Sequence, residues 1–199
     1  MIEPASTFAR LTEDIRACSL CSDSLPLGPR PVFQAHPAAR ILIVGQAPGT
    51  AVHKSGVPFD DPSGDRLRAW LGVEQADFYD PQKMAIVPMG FCYPGKGRGG
   101  DLPPRRECAA HWRSDLLGHL THIELTIAVG RYAIDWHLAD RRRLTVTEVV
   151  RDWRRHWPAI VPLPHPSPRN RLWFKKNPWL ETDIVPALQA RVAQLIGTG

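Results

Sequence analysis

A histidine set between prolines can hold its imidazole at a fixed angle, and Pro164-His165-Pro166-Ser167-Pro168-Arg169-Asn170 has that form. Each pyrrolidine ring locks its own φ and pushes the residue before it towards extended backbone. A stiffly held imidazole suits donating a hydrogen bond to charge that grows on a leaving group. A solvated histidine in a proline-rich turn would share this sequence. A second segment, Gly45-Gln46-Ala47-Pro48-Gly49, puts two glycines and a proline into a tight turn. Such a turn lets backbone amides approach a ligand closely, and it also serves as a plain structural turn. The third constellation is Cys18-x2-Cys21 followed by Cys92 and Cys108. That pattern can enclose zinc or an iron–sulfur cluster, or simply be four buried thiols. Asp60 and Asp61 directly follow Phe59 and precede Pro62. They are carboxylates able to hold a water or to close a turn. Arg169, Asn170, Arg171, Leu172, Trp173, Phe174, Lys175 and Lys176 form a basic, aromatic run. It fits a polyanion contact as well as a solvated helix entry.

The elements that must position these residues follow from the apolar pattern. Residues 7–16 read as a helix capped by Ser6 or Thr7, with Cys18 and Cys21 at its end. The proline-rich segment 24–37 reads as an extended connector. Residues 40–44 form a short apolar run that ends in the first glycine turn, as a buried parallel strand would. Further strands are expected at 84–88, 125–129 and 159–163. Helices are expected at 63–71 with Ser63 as cap, from Pro104 to about 120, from 131 to about 139, and at 178–196. Residues 93–103, with four glycines and two prolines, read as loop. Strands alternating with helices predict a three-layer α/β/α domain around a central, mainly parallel four-stranded sheet. The whole chain, 1–199, is expected to form one domain, with segment 1–39 packed on its core. Ligands of such sheets bind at the carboxyl ends of the strands, where the loops 45–49 and 165–170 lie.

Composition narrows the setting. The chain has 199 residues and a net charge of +5, a mild bias towards a polyanion partner. No apolar run reaches membrane-spanning length and no cationic leader opens the chain, so a cytoplasmic location is expected; the chain is also expected to be a monomer. Thiols stay reduced there, which favours ligand or buried roles for the four cysteines over disulfides. Seven tryptophans are many for this length, and five of them (Trp112, Trp136, Trp153, Trp157 and Trp173) sit near Arg, Lys or His. Packing at helix faces explains each of them better than stacking on bases.

Taken together, the two loops resemble the motifs of the uracil-DNA glycosylase superfamily. Gly45-Gln46-Ala47-Pro48-Gly49 after the first strand is similar to its first motif. His165-Pro166-Ser167-Pro168-Arg169-Asn170 after the last strand is similar to its second, most closely that of the single-strand-selective branch. Between them, Gly56-Val57-Pro58-Phe59 looks like the segment whose Phe stacks on the flipped uracil. The cysteine pattern is similar to that of the iron–sulfur, family-4 type branch. The resemblance spans about residues 15–195. It implies a DNA repair enzyme that hydrolyses the N-glycosidic bond of uracil or another deaminated base. It implies a four-iron, four-sulfur cluster on Cys18, Cys21, Cys92 and Cys108, with zinc as the alternative. It makes His165 and Gln46 catalytic-site residues, with Asp60 and Asp61 as candidate holders of the water. It places Gly45, Ala47, Pro48, Gly49, Phe59 and Ser167 against the base. It sets Arg169, Asn170, Arg171, Leu172 and Lys175 on DNA containing a damaged base, with Arg169 or Leu172 as the wedge that fills the vacated stack.

The sequence also departs from the family. The iron–sulfur branch usually has Glu at the second position of motif one, where this chain has Gln46, which cannot act as a base. Other members have an Asp at the next position, where Ala47 stands. Many have an Asn after the second strand that reads the uracil edge, and Ile86-Val87-Pro88-Met89-Gly90 contains none. A lesion-binding protein of the same fold that does not cut is therefore the alternative. An unrelated α/β hydrolase or nucleotide-binding protein is disfavoured, because the chain lacks a phosphate-loop signature and a Gly-x-Ser-x-Gly elbow.

Overall fold

The computed structural model describes residues 4–197. Four short strands, β1 (Ile41–Val44), β2 (Met84–Ile86), β5 (Leu125–Val129) and β6 (Ile160–Leu163), make one sheet in the order β2-β1-β5-β6. Every pairing in it is parallel, with Ile43 opposite Ile86 and Ile127, and Ile127 opposite Val161. The sheet is flanked by helices, as the three-layer α/β/α expectation requires. Helices on both faces account for the unbroken apolar runs: all residues of β1, β2 and β5 are buried. Each fully buried Val, Leu or Ile contributes about 1.5–3 kcal/mol relative to exposure.

Strand β1 lies between β2 and β5, so the chain leaves it towards one side and returns on the other. A crevice opens where such a sheet reverses order, at the carboxyl ends of its strands. The loops after β1 and β6 both rise there. Helix α2 (Thr50–Ser55) follows the first loop, and α3 (Pro62–Leu71) packs against the closing helix α10 (Val185–Ile196). The connector 24–37 does more than span a gap. Gln34 exchanges backbone hydrogen bonds with Ile86 at 2.7 and 2.9 Å, and so extends the β2 edge by one antiparallel bridge.

Several boundaries differ from the sequence reading. The first helix, α1 (Pro4–Arg16), begins earlier, so Ser6 and Thr7 lie inside it and not at the capping position before it. The cap of α3 is Asp61, whose Oδ1 accepts the Gly64 N–H at 2.9 Å; Ser63 is buried within the first turn. Pro62 fills the first helical position, where its missing N–H costs nothing, and that selects the residue before it as the cap. Strand β2 stops at Ile86, short of Pro88. The glycine-rich stretch 93–103 is not all loop: β3 (Lys96–Gly97) and β4 (Gly100–Asp101) pair as a small antiparallel hairpin. The helix expected from Pro104 starts at Arg106. It runs through Arg106–Cys108, a π-helical stretch Ala109–Arg113 and α6 (Ser114–Gly118). Pro104 instead packs beside Gly90, where an added Cβ would meet its side chain at 3.0 Å. The helix expected to 139 is α7 (Arg131–His137). The one expected from Pro178 has a π-helical stretch, Leu180–Ile184, before α10. Among the described residues, no helix is long and apolar enough to cross a membrane.

Candidate active site

A cleft of about 340 Å³ lies at the carboxyl end of the sheet. Gly45, Gln46, Ala47, Pro48 and Gly49 line it from the loop after β1, and His165, Ser167 and Arg169 line it from the loop after β6. Phe59 and Asp61 line a third wall. The fold thus brings together the loops that the sequence separates by more than a hundred residues. Val32, Ile86 and Pro88 add an apolar floor that sequence reasoning did not assign. Ile86 and Pro88 belong to the stretch that lacks the family's Asn, so no amide side chain reads a ligand edge from there.

His165 is fixed from several sides. Its Nδ1 accepts the backbone N–H of Ser167 at 3.2 Å. Its carbonyl accepts Asn170 Nδ2 at 2.7 Å, and the next carbonyl, Pro166 O, accepts Arg66 Nη1 at 3.1 Å. Ser167 Oγ accepts the Arg169 N–H at 3.3 Å and starts the short helical turn Pro168–Asn170. Because Nδ1 is the acceptor, the neutral ring carries its proton on Nε2. Burial pushes the His165 pKa below its usual value, against the opposing fields of Asp61 and Asp101. The result is a neutral imidazole that can donate from Nε2.

Phe59 sits on strained backbone. Its φ is +54°, a left-handed value that bulky side chains rarely adopt. Two glycines make room for it. A Cβ on Gly64 would lie 1.7 Å from Phe59 O, and one on Gly45 would lie 3.1 Å from Phe59 Cζ. The ring therefore rests directly on motif one, with Phe78 edge-on behind it at 6.4 Å between centroids. Strain held by surrounding contacts at a cleft wall fits a ligand platform.

The carboxylates divide unequally. Asp60 does not line the cleft, whereas Asp61 does while capping α3. Asp101, on the β3–β4 hairpin, also lines the cleft, and a Cβ on Gly49 would stand 3.6 Å from its Oδ2. Sequence reasoning missed Asp101 because nothing in a glycine-rich loop marks which of its side chains will point inward. Gln46 donates from Nε2 to Leu102 O at 2.9 Å, joining motif one to this hairpin.

Of the residues assigned to DNA, only Arg169 reaches the cleft. Asn170 uses its amide on His165. Arg171, Leu172 and Lys175 stand outside the cleft on α9 (Arg171–Lys176), where Leu172 is 69% exposed. Most of the tryptophans pack against the core, whereas Trp136 is exposed. Trp153 is buried, Trp173 donates to Thr147 Oγ1 at 2.7 Å, and Trp112 donates to Cys18 Sγ at 3.2 Å.

Cys18, Cys21, Cys92 and Cys108 line one separate cavity together with Phe91, Arg105 and Trp112. All four are free thiols. Burial pushes the Cys21 and Cys92 thiols up and Cys108 up to about 12. Cys108 Sγ also accepts the Phe91 N–H at 3.3 Å. Among the described residues, no three His, Cys, Asp or Glu side chains are grouped to hold a single metal ion. Around this cavity Cys108 is buried and Cys18, Cys21 and Cys92 are half-buried, and Cys18 and Cys108 already accept N–H bonds; as thiolates the four could serve as soft metal ligands. Nearby, the fully buried Arg113 donates from Nη1 to Val87 O and Pro88 O at 3.0 and 3.1 Å, and Nη2 lies 3.0 Å from His137 Nε2.

The family model for the Uracil DNA glycosylase superfamily matches residues 33–189. That span takes in both cleft loops, Phe59, Asp61 and the β3–β4 hairpin, and covers well over half of the chain. With its sheet order, its two motif loops and its shared cleft, the chain belongs to the uracil-DNA glycosylase superfamily, whose members are typically DNA glycosylases.

Proposed function

We propose that this protein hydrolyses the N-glycosidic bond of uracil or another deaminated base in DNA and leaves an abasic site. The observation that carries this reading is the neutral His165 imidazole, held by Ser167 with Nε2 as its donor, in the same cleft as Phe59 and motif one. Glycosidic cleavage passes through an oxocarbenium-like transition state in which the base departs with the bonding electrons. A preorganised donor to a base oxygen stabilises that charge without reorganising. Phe59 would carry the extruded base on its ring, and the apolar floor would exclude water from it. Leu172, exposed and flanked by Arg171 and Lys175, is the better wedge; Arg169 at the cleft rim is placed to meet the adjoining phosphate. Binding and cleaving uracil oligonucleotides, with abasic sites opened by alkali, tests the reading. Uracil, hypoxanthine and xanthine in single and double strands sort the substrate.

The alternative, a lesion-binding protein that does not cut, has one observation in its favour. Motif one offers Gln46 and Ala47 in place of a carboxylate. Tight binding of uracil DNA without abasic product would select it.

The four-cysteine cavity supports a resident four-iron, four-sulfur cluster, with zinc as the alternative. Its role would be structural, tying the segment after α1 to Cys92 and to the helix that starts at Arg106. The support for the reading is the all-cysteine lining of one cavity, since four thiolates are the usual ligand set of such a cluster and also suit zinc. Iron, sulfide and zinc content of anaerobically purified protein tests the assignment.

A further inference from the structure

Motif one has lost its carboxylate, yet the cleft has not. The geometry points to Asp101 as the residue that binds and deprotonates the hydrolytic water, with Gln46 as the positioning residue that holds it there. This rests on the glycosylase reading and names a catalytic group that neither sequence motif contains.

Three observations support it. Asp101 lines the cleft with His165 and Phe59, and its field is felt at the imidazole. Its carboxylate lies beside Gly49, the last residue of motif one, where an added Cβ would stand in ordinary contact with Oδ2 at 3.6 Å. The next residue, Leu102, receives the Gln46 amide through its carbonyl at 2.9 Å. Gln46 can donate this bond and Glu cannot, because an ionised carboxylate only accepts. The residue that removes the carboxylate from motif one is thus the residue that fastens a second carboxylate beside it.

Asp61 is the competitor. One of its oxygens is committed to the Gly64 N–H at the start of α3, two residues from the Phe59 platform. It stands at the base end of the cleft. Asp101 stands on the side of Arg169, whose Nη1 lies 2.5 Å from where a Gly100 Cβ would be. Placing the base on Phe59 and a phosphate at Arg169 leaves C1′ between them, within reach of water held by Asp101.

The step balances as a hydrolysis. The C1′–N bond breaks and its electron pair leaves with the base, whose oxygen accepts a hydrogen bond from His165 Nε2. The water oxygen bonds to C1′ and its proton passes to Asp101. That proton then returns through solvent to the departed base anion, giving free base and an abasic deoxyribose.

The test is single-turnover cleavage of a uracil oligonucleotide by the anaerobically purified 199-residue protein, compared across D101N, D101A, D61N and Q46A. Binding is measured in parallel with an uncleavable 2′-fluoro-deoxyuridine oligonucleotide. D101N should cut at least about 10²-fold more slowly, the lower range for loss of a general base, with affinity within about threefold of wild type. Formate should restore part of the D101A rate. D61N, which keeps a capping side chain, should lose less than about tenfold. Q46A should slow the wild type and have no further effect in the D101N background, because it acts only through Asp101. Active wild type with D101N cutting at the same rate overturns the Asp101 assignment and leaves the glycosylase reading standing. Further slowing by Q46A in the D101N background overturns the tether. A wild type that binds uracil DNA and cuts none overturns the reading and this inference together.

Discussion

Ser167 N–H donates to His165 Nδ1 at 3.2 Å, and this one bond decides which nitrogen of the imidazole can serve a ligand. The proton sits on Nε2, and burial keeps the ring neutral by lowering its pKa. Below that lowered pKa a second proton would have to occupy Nδ1, which would then face the Ser167 N–H with no lone pair to accept it. Cleavage should therefore be flat through neutral pH and lose its His165-dependent part only on the acid side of about 6.5, the ordinary imidazole value. A pH–rate profile of the wild type checks this; a rate that rises on acidification through that range contradicts it.

Phe59→Ala should weaken binding of a uracil oligonucleotide by about 1–3 kcal/mol, the range for base–aromatic stacking. Binding of undamaged DNA should hardly change, since phosphate contacts supply it. Titrations of both oligonucleotides decide the matter, and equal losses would make Phe59 a core residue only. Gly64→Ala is the companion variant. Its Cβ would collide with Phe59 O at 1.7 Å, with backbone on both sides and nowhere to yield. We expect at least about 3 kcal/mol of destabilisation by urea unfolding, at or above the usual cost of overpacking.

Leu172→Ala should reduce cleavage of uracil in duplex DNA more than in single-stranded DNA. Extruding a paired base costs a few kcal/mol that a wedge helps to offset, and a single strand needs no such help. A difference of about tenfold between the two losses is expected in single-turnover assays. Equal losses would mean that Leu172 only packs on the DNA backbone.

Acid should destabilise the fold through His137. Its Nε2 accepts from the buried Arg113, so the ring must be neutral, and burial together with that cation pushes its pKa down to about 4. The unfolded chain takes up a proton near pH 6.5 that the folded state refuses until about pH 4. Stability is then fully present above about 6.5 and falls as pH drops through that window, by about 3 kcal/mol from this group. Urea midpoints between pH 8 and 4 measure it. His137→Gln, which keeps an acceptor for Arg113, should flatten the decline; an unchanged slope would assign it to other groups.

Cys108→Ala should lower bound iron and cost about 2 kcal/mol or more, roughly 4–8 °C in Tm for a chain of this length. Cys108 is the most deeply buried of the four thiols, on the helix that also carries Arg113. Full iron content in the variant would remove Cys108 from the ligand set.

The sheet and its two motif loops were legible because buried parallel strands are continuous apolar runs, here punctuated by Gly45, Gly130 and Pro164. The Asp61 cap is legible too, since Pro62 at the first helical position points to the residue before it and away from Ser63. Asp101 was not legible. Its place depends on a bond between Gln46 and Leu102, 56 residues apart, and no local pattern encodes it. Nor were the π-helical stretches Ala109–Arg113 and Leu180–Ile184, which arise from tertiary fit and not from propensity. Asn170 looked like a DNA ligand because of its motif, and its amide turned out to be committed to the His165 carbonyl.

The most direct measurement is the single-turnover rate of His165→Ala on a uracil oligonucleotide, set beside its affinity for an uncleavable analogue. Removing one preorganised donor to a developing anion costs about 10²–10³ in rate. We predict a loss of about 10²-fold or more, with affinity changed by less than about tenfold. A variant that cuts and binds like the wild type would make His165 a structural turn residue and contradict the account at its centre.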